Sequence, residues 1–536
     1  MIYNSFILKP IFYIIRIIEA SYPGSFTGKF FAWVLRVANR VNEAYENSLI
    51  HRVIDKVVVM LIVLFTNSSI FGFFARSGRV GKWWENSLIF RFANFLFTAP
   101  SNMFKNLYRS NEAVFKESIF LRLLSLLLHR FEIIIGMVLF VTLIAPHEMW
   151  HNIYSAILAI ALLVLLFICT VIKRNSYFNL KAFDFSLVLF MLIVALSWIT
   201  SINRGLSFNF LLINMTCFLF VILIVSSIKN EKSLGAFVEI ILAGITVISL
   251  YGLWQFASDS VRFDPSLTNV KLNEGMPGRV YATVFNPNNF AEILIMMLPF
   301  YVAVILNAKT FVKKAIFSLM GLSALAVLFC TGARSAWIAF AVSALVFTFF
   351  KNKRLLPLMM VVGIIAVPFL PQHVYRRIQT LFNLSKDTSA QYRVKIIQTS
   401  WPMLKDYVLT GVGLGTDVFM DIVGKYKLYT SKVPVHTHVL YMQIWIEMGI
   451  MGILSFVWFL FRTVKSSVTS VLEKSNVYFT NVLIAGISSL LGILTMAAVE
   501  YIWYYPRVML FFWVDVAIVL SVLSIIRIRK NKLTEN

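Results

Sequence analysis

The chain has 536 residues, of which 59% are apolar and only 14% charged, against roughly 45–50% and about 25% for a soluble domain. A soluble enzyme of this length needs more charge than that to cover its surface, and the mean hydropathy of +0.79 excludes that class. Within the small charged fraction, 49 Lys and Arg face 25 Asp and Glu, a formal charge of +24. Nucleic acid is the routine partner of a basic chain, but its readers carry their charge on soluble modules with polar faces. Nothing of that kind is present, so no nucleic-acid partner is expected.

The first 130 residues hold 16 Lys and Arg, mixed at helical spacing with large apolar residues, as in KFFAWVLRVANRV (29–41) and SIFLRLLSLLLHRF (118–131). This predicts basic amphipathic helices lying on the anionic cytoplasmic leaflet, in contact with membrane lipids. Glu46-Asn-Ser-Leu-Ile50 recurs as Glu85-Asn-Ser-Leu-Ile89, and Glu117-Ser-Ile119 opens a third variant, which reads as a repeated helical unit. The stretch 57–74 is long enough to span a bilayer. One extra span would reverse every later loop, so an interfacial or re-entrant segment is expected there. The N-terminal stretch has neither an uninterrupted apolar run nor a small-residue cleavage site, so no cleaved signal peptide is expected.

From residue 131 onward, apolar runs of bilayer-crossing length alternate with short polar breaks. Twelve are counted, at about 131–146, 154–172, 183–199, 208–227, 235–257, 290–307, 314–331, 335–350, 355–370, 438–461, 478–500 and 507–526. The predicted fold class is therefore an all-α polytopic membrane protein of about twelve transmembrane helices. With residues 1–130 inside, the later inner segments and the basic tail 527–536 hold 18 Lys and Arg. The four short outer segments hold three, Arg204, Arg334 and Arg507. That contrast is the one cytoplasmic retention of positive charge produces, and it sets both termini in the cytoplasm. Two outer loops are long, 258–289 and 371–437. The second holds nine Lys and Arg against four acids, which suggests an anionic substrate outside the membrane.

The cysteines Cys169, Cys217 and Cys330 lie in apolar runs without pairing or metal-ligand spacing. His147-Glu-Met-Trp-His151 fits the H-E-x-x-H zinc pattern, but it follows Pro146 in a short loop with no obvious third ligand, and an interfacial turn is expected instead. No metal and no cofactor are assigned.

The stronger candidates are polar residues at the outer face. Arg279 precedes Asn286-Pro-Asn-Asn289 and the sixth span. Arg334 sits in the break Thr331-Gly-Ala-Arg-Ser-Ala-Trp337, at a depth that is costly unless the charge is paired or faces water. Arg393, Trp401 and Gly411-Val-Gly-Leu-Gly415 lie in the large loop, which ends in His436-Thr-His438 beside Tyr441 and then Gly449-x-x-Gly452. A neutral imidazole is a natural general base near pH 7, and arginines hold phosphates and a departing pyrophosphate. The combination points to transfer from an anionic, lipid-borne donor to a hydroxyl acceptor.

These motifs, in this order, resemble the O-antigen ligase and polymerase superfamily over residues 131–526. The resemblance implies a multi-pass, metal-independent, inverting GT-C-type glycosyltransferase in the bacterial cytoplasmic membrane. Its donor would be an undecaprenyl-pyrophosphate-linked glycan at the outer face, and its acceptor a hydroxyl on a lipid, a glycan or a protein. It assigns His438 as the catalytic histidine and Arg279 and Arg334 to the donor pyrophosphate. Arg393, His436, Asn286, Asn289 and Tyr441 are further candidates for substrate binding. The ligase pattern carries Asn, Ser or Gln directly after the histidine, where this chain has Val439. Thr437 and His436 are the candidates to supply that hydrogen bond. The alternative class is a transporter or flippase of an anionic lipid-linked substrate, with Glu132, Glu239, Glu292, Glu447 and Asp515 in the spans as proton carriers. A scaffolding role is considered for residues 1–130 alone.

Overall fold

Every described element is helical, in a computed structural model that describes residues 26–49, 51–53, 55–56, 60, 83–173, 177–261, 278–284, 286–366, 388–473 and 476–535. The stretch 57–74 lies almost wholly outside those residues, as do the middle of the first long outer loop and the start of the second. Among the described residues four helices precede the bundle: α1 (Phe26–Glu46), α2 (Leu88–Ser110), α3 (Glu112–Glu117) and α4 (Ile119–Leu127). The bundle then runs α5 (Phe131–Ile144), α6 (Asn152–Ile172), α7 (Phe185–Ile199), α8 (Arg204–Ser227), α9 (Glu231–Ala257), α10 (Pro287–Asn307), α11 (Phe311–Cys330), α12 (Arg334–Asn352) and α13 (Leu356–Ala366). After the large loop's α14 (Thr388–Asp406) and α15 (Thr416–Val423) it closes with α16 (Leu440–Leu472), α17 (Val477–Ala497) and α18 (Pro506–Glu535).

Among the described residues nine helical stretches are long and apolar enough to cross a membrane, one of them the joined α12 and α13. The chain is an all-α polytopic membrane protein. The expected runs at 131–146 and 183–199 appear as the shorter apolar helices α5 and α7.

The core is built on α18, of whose most apolar window 94% is buried, with α10 at 78% and α17 at 72%. The outer helices α6 and α11 bury only 28% and 22% and leave their remaining apolar faces for lipid. This gradient is what an apolar solvent produces, since helices apolar all round sit at the centre or against hydrocarbon. Trp513 lies against Phe190, Phe218, Phe459 and Trp503, and this aromatic group joins α7, α8, α16 and α18. Arg462 of α16 reaches Asp184, the N-cap of α7, with Nε 2.9 Å from both carboxylate oxygens.

The recurring N-terminal segment has a physical meaning. Ser48, Ser87 and Ser118 each sit at a break where one helix stops and the next begins, and each hydroxyl accepts an N–H three residues on, from His51, Phe90 and Leu121. The carbonyls of Tyr45, Trp84 and Phe115 accept the serine N–H groups, and Arg52, Arg91 and Arg122 close the new turn onto the serine carbonyls. The repeat is thus a helix stop and serine cap, with an aromatic residue before it and an arginine after it. Helix α2 does not stand apart from the bundle. Ser101 meets Thr170 of α6 at 2.7 Å, Phe104 packs on Phe167, and Trp84 Nε1 donates to the Leu180 carbonyl at 3.2 Å. Its other face, with Phe92, Phe95 and Met103, is exposed.

Candidate active site

Six pieces of chain meet at one end of the bundle. The first is the start of α10, where Asn286 caps the helix by accepting from Asn288 N at 2.8 Å and Pro287 occupies the first turn. This pairing of an Asn cap with Pro sets a helix start sharply, and it turns the Asn288 side chain out of the helix. Asn288 is an amide that both accepts and donates: its Oδ1 takes Arg279 Nη2 at 2.5 Å and its Nδ2 donates to Glu500 Oε1 at 3.1 Å. Arg279 also donates from Nε to the Thr331 carbonyl at 2.9 Å. That carbonyl belongs to the break before α12, so the 278–284 segment is tied to the turn that carries Arg334. Arg334 is half-buried at the first position of α12.

The large loop contributes Arg393 from α14, which forms an ion pair with Glu500 Oε1. Its Nε is buried with no partner among the described residues. The loop's far end contributes His438, whose backbone takes a left-handed conformation with φ of 57°. A non-glycine residue held there costs free energy, and such strain is found where a side chain must be aimed. The aim is visible: His438 Nδ1 lies 3.5 Å from Glu500 Oε2. His436 supports the turn, accepting the His438 N–H on its Nδ1 at 3.1 Å, with the two rings 4.2 Å apart. Thr437 donates its hydroxyl to the Val439 carbonyl at 2.9 Å, and its own N–H goes to Gln443 Oε1 at 2.9 Å. Thr437 and His436 thus each bond to a backbone group of the turn.

Glu500 is the hub. It lies in the short 498–505 segment between α17 and α18, with its side chain 8% exposed. Burial pushes its carboxyl up, but Arg393, then His438, then Arg279 outweigh that and hold it below the usual carboxylate range. It is ionised at neutral pH. His436 is pushed well below the usual imidazole range, by burial first and then by His438 and Arg393. It is a neutral ring near pH 7.

The glycine run docks the large loop onto the bundle. Helix α16 kinks at Gly449, with φ of 67° and ψ of −172°, and the opened turn gives the Ile446 and Glu447 carbonyls to Val412 N (2.8 Å) and Gly413 N (3.1 Å). A Cβ at Gly449 would lie 2.1 Å from the Leu409 carbonyl oxygen, so both the backbone and the space require glycine there. The two motifs Gly411–Gly415 and Gly449 are one joint. Behind it Glu447 accepts from Gln443 Nε2 at 2.9 Å and from the Tyr501 hydroxyl at 3.2 Å, so this buried network reaches the histidine turn through Gln443.

The structure thus brings Arg279, Arg393 and His438 together around Glu500. Asn286 is a helix cap, Asn289 is buried in the first turn of α10, and the Tyr441 hydroxyl is bonded to the Leu494 carbonyl at 2.8 Å. Glu500 and Asn288 were missed as functional residues. The signal for Glu500 was a lone acid in the aromatic segment Glu500-Tyr-Ile-Trp-Tyr-Tyr-Pro-Arg507, facing an outer side rich in arginine. His147 to Met149 form a 3₁₀ turn, with His147 Nδ1 2.9 Å from the Tyr505 hydroxyl, so the H-E-x-x-H residues do not share one helix face. Among the described residues no group of three His, Cys, Asp or Glu is placed to hold a metal ion.

Residues 293–457, from α10 through the large loop into α16, match the family model of the O-antigen ligases. Over that segment, just under a third of its length, the chain is similar to the O-antigen ligases. It is 23% identical over 203 residues to an O-antigen ligase of Salmonella typhimurium (strain LT2), across 35% of this chain and 48% of that protein. The chain spans about half the length of the curated relative it matches. The ligase-like segment contains Arg334, Arg393, His438, Tyr441 and Gly449, while Arg279, Asn288 and Glu500 lie outside it.

Proposed function

We propose that the protein transfers a glycan from an undecaprenyl-pyrophosphate-linked donor to an acceptor hydroxyl at the outer face of the bacterial cytoplasmic membrane. The observation that carries this is the convergence of Arg279, Arg393 and His438 on one buried carboxylate, in a chain whose residues 293–457 are similar to the O-antigen ligases. Glu500 faces Nδ1 of His438, which favours the tautomer with its proton there and leaves Nε2 to accept a proton from the acceptor. The acceptor oxygen attacks the anomeric carbon, the bond from that carbon to the pyrophosphate oxygen breaks, and the leaving pyrophosphate keeps the electron pair. Its charge falls to Arg279 and Arg334, and the acceptor proton passes to His438. Attack opposite the leaving group inverts the anomeric centre, and this route routes no step through a metal. Arg393 borders the acceptor side. His436, Asn286, Asn289 and Tyr441 act as supports, since the bonds described for His436, Asn286 and Tyr441 run to the protein.

Residues 131–526 form the transferase unit, with both termini cytoplasmic and residues 1–130 an accessory at the inner surface. In a membrane assay with lipid-linked donor, His438→Ala and Arg334→Ala are expected to abolish or strongly reduce release of polyprenyl pyrophosphate. Full transfer by either variant overturns the site assignment. A donor left intact by wild-type protein while it crosses the bilayer supports a flippase instead. Of the acids on which that reading would rely, Glu132 is paired with Arg130 and Glu239 with Lys313, and Glu447 accepts from Gln443 and Tyr501, while Asp515 accepts from Ser489 on one oxygen only and Glu292 Oε2 is buried with no hydrogen-bond partner among the described residues.

A further inference from the structure

At the end of the bundle remote from Glu500, a cavity of about 410 Å³ opens between the start of α5, the end of α6, the end of α8 and the start of α9. Four cationic side chains line it, Arg130, Lys173, Lys229 and Lys232, against one carboxylate, Glu132. Glu132 is already taken by Arg130, whose Nε is 2.5 Å away. Lys173 donates to the Leu128 carbonyl, and Lys229 lies over the Tyr177 ring at 5.2 Å. Burial, and then the neighbouring charges of Lys173 and Lys105, push the Lys229 ammonium down against the opposing pull of Cys169 and Glu132.

The start of α9 adds to this positive field. Asn230 and Ser233 form a capping box there, and the partial positive charge of a helix N-terminus faces out along its axis. The acid of that first turn, Glu231, is engaged elsewhere, by Asn476 at 3.0 Å and Arg529 at 3.6 Å. The space is open to solvent on one side, and its described lining carries a surplus of three positive charges, which suits a group with one or two negative charges on several acceptor oxygens. A phosphate is such a group. The volume exceeds what a free phosphate fills, and Leu128, Phe131 and Leu166 give the space an apolar wall.

We propose that this cavity binds the phosphate of an anionic phospholipid headgroup, in the leaflet opposite the transfer site. A lipid headgroup and dissolved phosphate share the chemistry, and the test separates them. The full chain is placed in nanodiscs of neutral phosphatidylcholine, with or without phosphatidylglycerol, then extracted, and its retained lipids are counted by native mass spectrometry. Thermal unfolding is followed in parallel while inorganic phosphate is titrated at constant ionic strength.

Wild-type protein is expected to retain phosphatidylglycerol over phosphatidylcholine. The Lys229→Gln/Lys232→Gln variant should lose that preference by at least tenfold, and the distant control Lys425→Gln/Lys427→Gln should keep it. Inorganic phosphate should raise the unfolding temperature in phosphatidylcholine discs and add nothing once phosphatidylglycerol is present. Equal retention of the two lipids by wild type, or undiminished preference in the double variant, overturns the proposal. Phosphate protection without phosphatidylglycerol retention overturns the lipid source and assigns the cavity to a soluble anion. If the double variant does not fold, Lys232→Gln at an exposed position carries the test, with a several-fold loss expected.

Discussion

Replacing Glu500 by Gln keeps the shape of the hub and removes its charge. Two losses follow. The first is structural: Arg393, its side chain 26% exposed and its Nε already without a partner, keeps its charge with nothing opposite it. Breaking a fully buried pair costs about 3–5 kcal/mol, and with a quarter of Arg393 open to solvent about 2–3 kcal/mol is expected. The second is chemical. At 3.5 Å and an effective dielectric of about 20, attraction between a protonated His438 and Glu500 has a ceiling of roughly 5 kcal/mol. Arg393 competes for the same carboxylate and the His438 side chain is 27% exposed, so roughly 1.5–3 kcal/mol of that ceiling should act in the transition state, a tenfold to hundredfold fall in rate.

The assay is single-turnover release of polyprenyl pyrophosphate in proteoliposomes, with the folded fraction measured on the same sample. Glu500→Gln is expected to lower kcat more than it raises KM for the donor. If it transfers at the wild-type rate in a preparation where His438→Ala is inactive, the carboxylate does not act on the histidine.

Gly449→Ala should be among the most damaging single methyl additions. The positive φ costs about 1–2 kcal/mol, and the added carbon sits 2.1 Å from the Leu409 carbonyl oxygen; limited proteolysis should show the large loop released. Arg462→Ala leaves Asp184 as a carboxylate, 23% exposed, without its guanidinium, at a cost of about 3 kcal/mol seen in thermal unfolding; the protein that remains folded should transfer at an unchanged rate, because this pair lies far from Glu500. His436 is buried neutral with its basicity lowered, so below pH 6.5 the unfolded chain takes up a proton that the folded one refuses. Stability should therefore fall as pH drops through that range, and His436→Asn should flatten the slope of unfolding temperature against pH.

The positions of Arg334 and His438 were legible because each sits in a motif at a membrane boundary, where a polar residue among apolar runs stands out, and Arg393 was legible as one of the basic residues of the large outer loop. Glu500 was not, since a carboxylate at the end of an apolar span reads as an ordinary terminus until its partners are known. Those partners come from elements about 60 to 210 residues away in sequence. The glycine run read poorly as a nucleotide loop for the same reason: its meaning lies in the kink at Gly449, which receives it. The N-terminal echo was visible as a repeat, yet its function as a helix break appeared only when the serine hydroxyls were found on the backbone N–H groups three residues on.

The sequence by itself determined that the chain is an all-α membrane protein. Run length and hydropathy are set by the thickness and dryness of the bilayer, which act on each segment separately. Which helix lies at the centre, which acids are paired and which carboxylate gathers the arginines and the histidine were decided only by the tertiary structure. These depend on the free energy of bringing charges from distant segments into one water-poor space, and no local pattern records that.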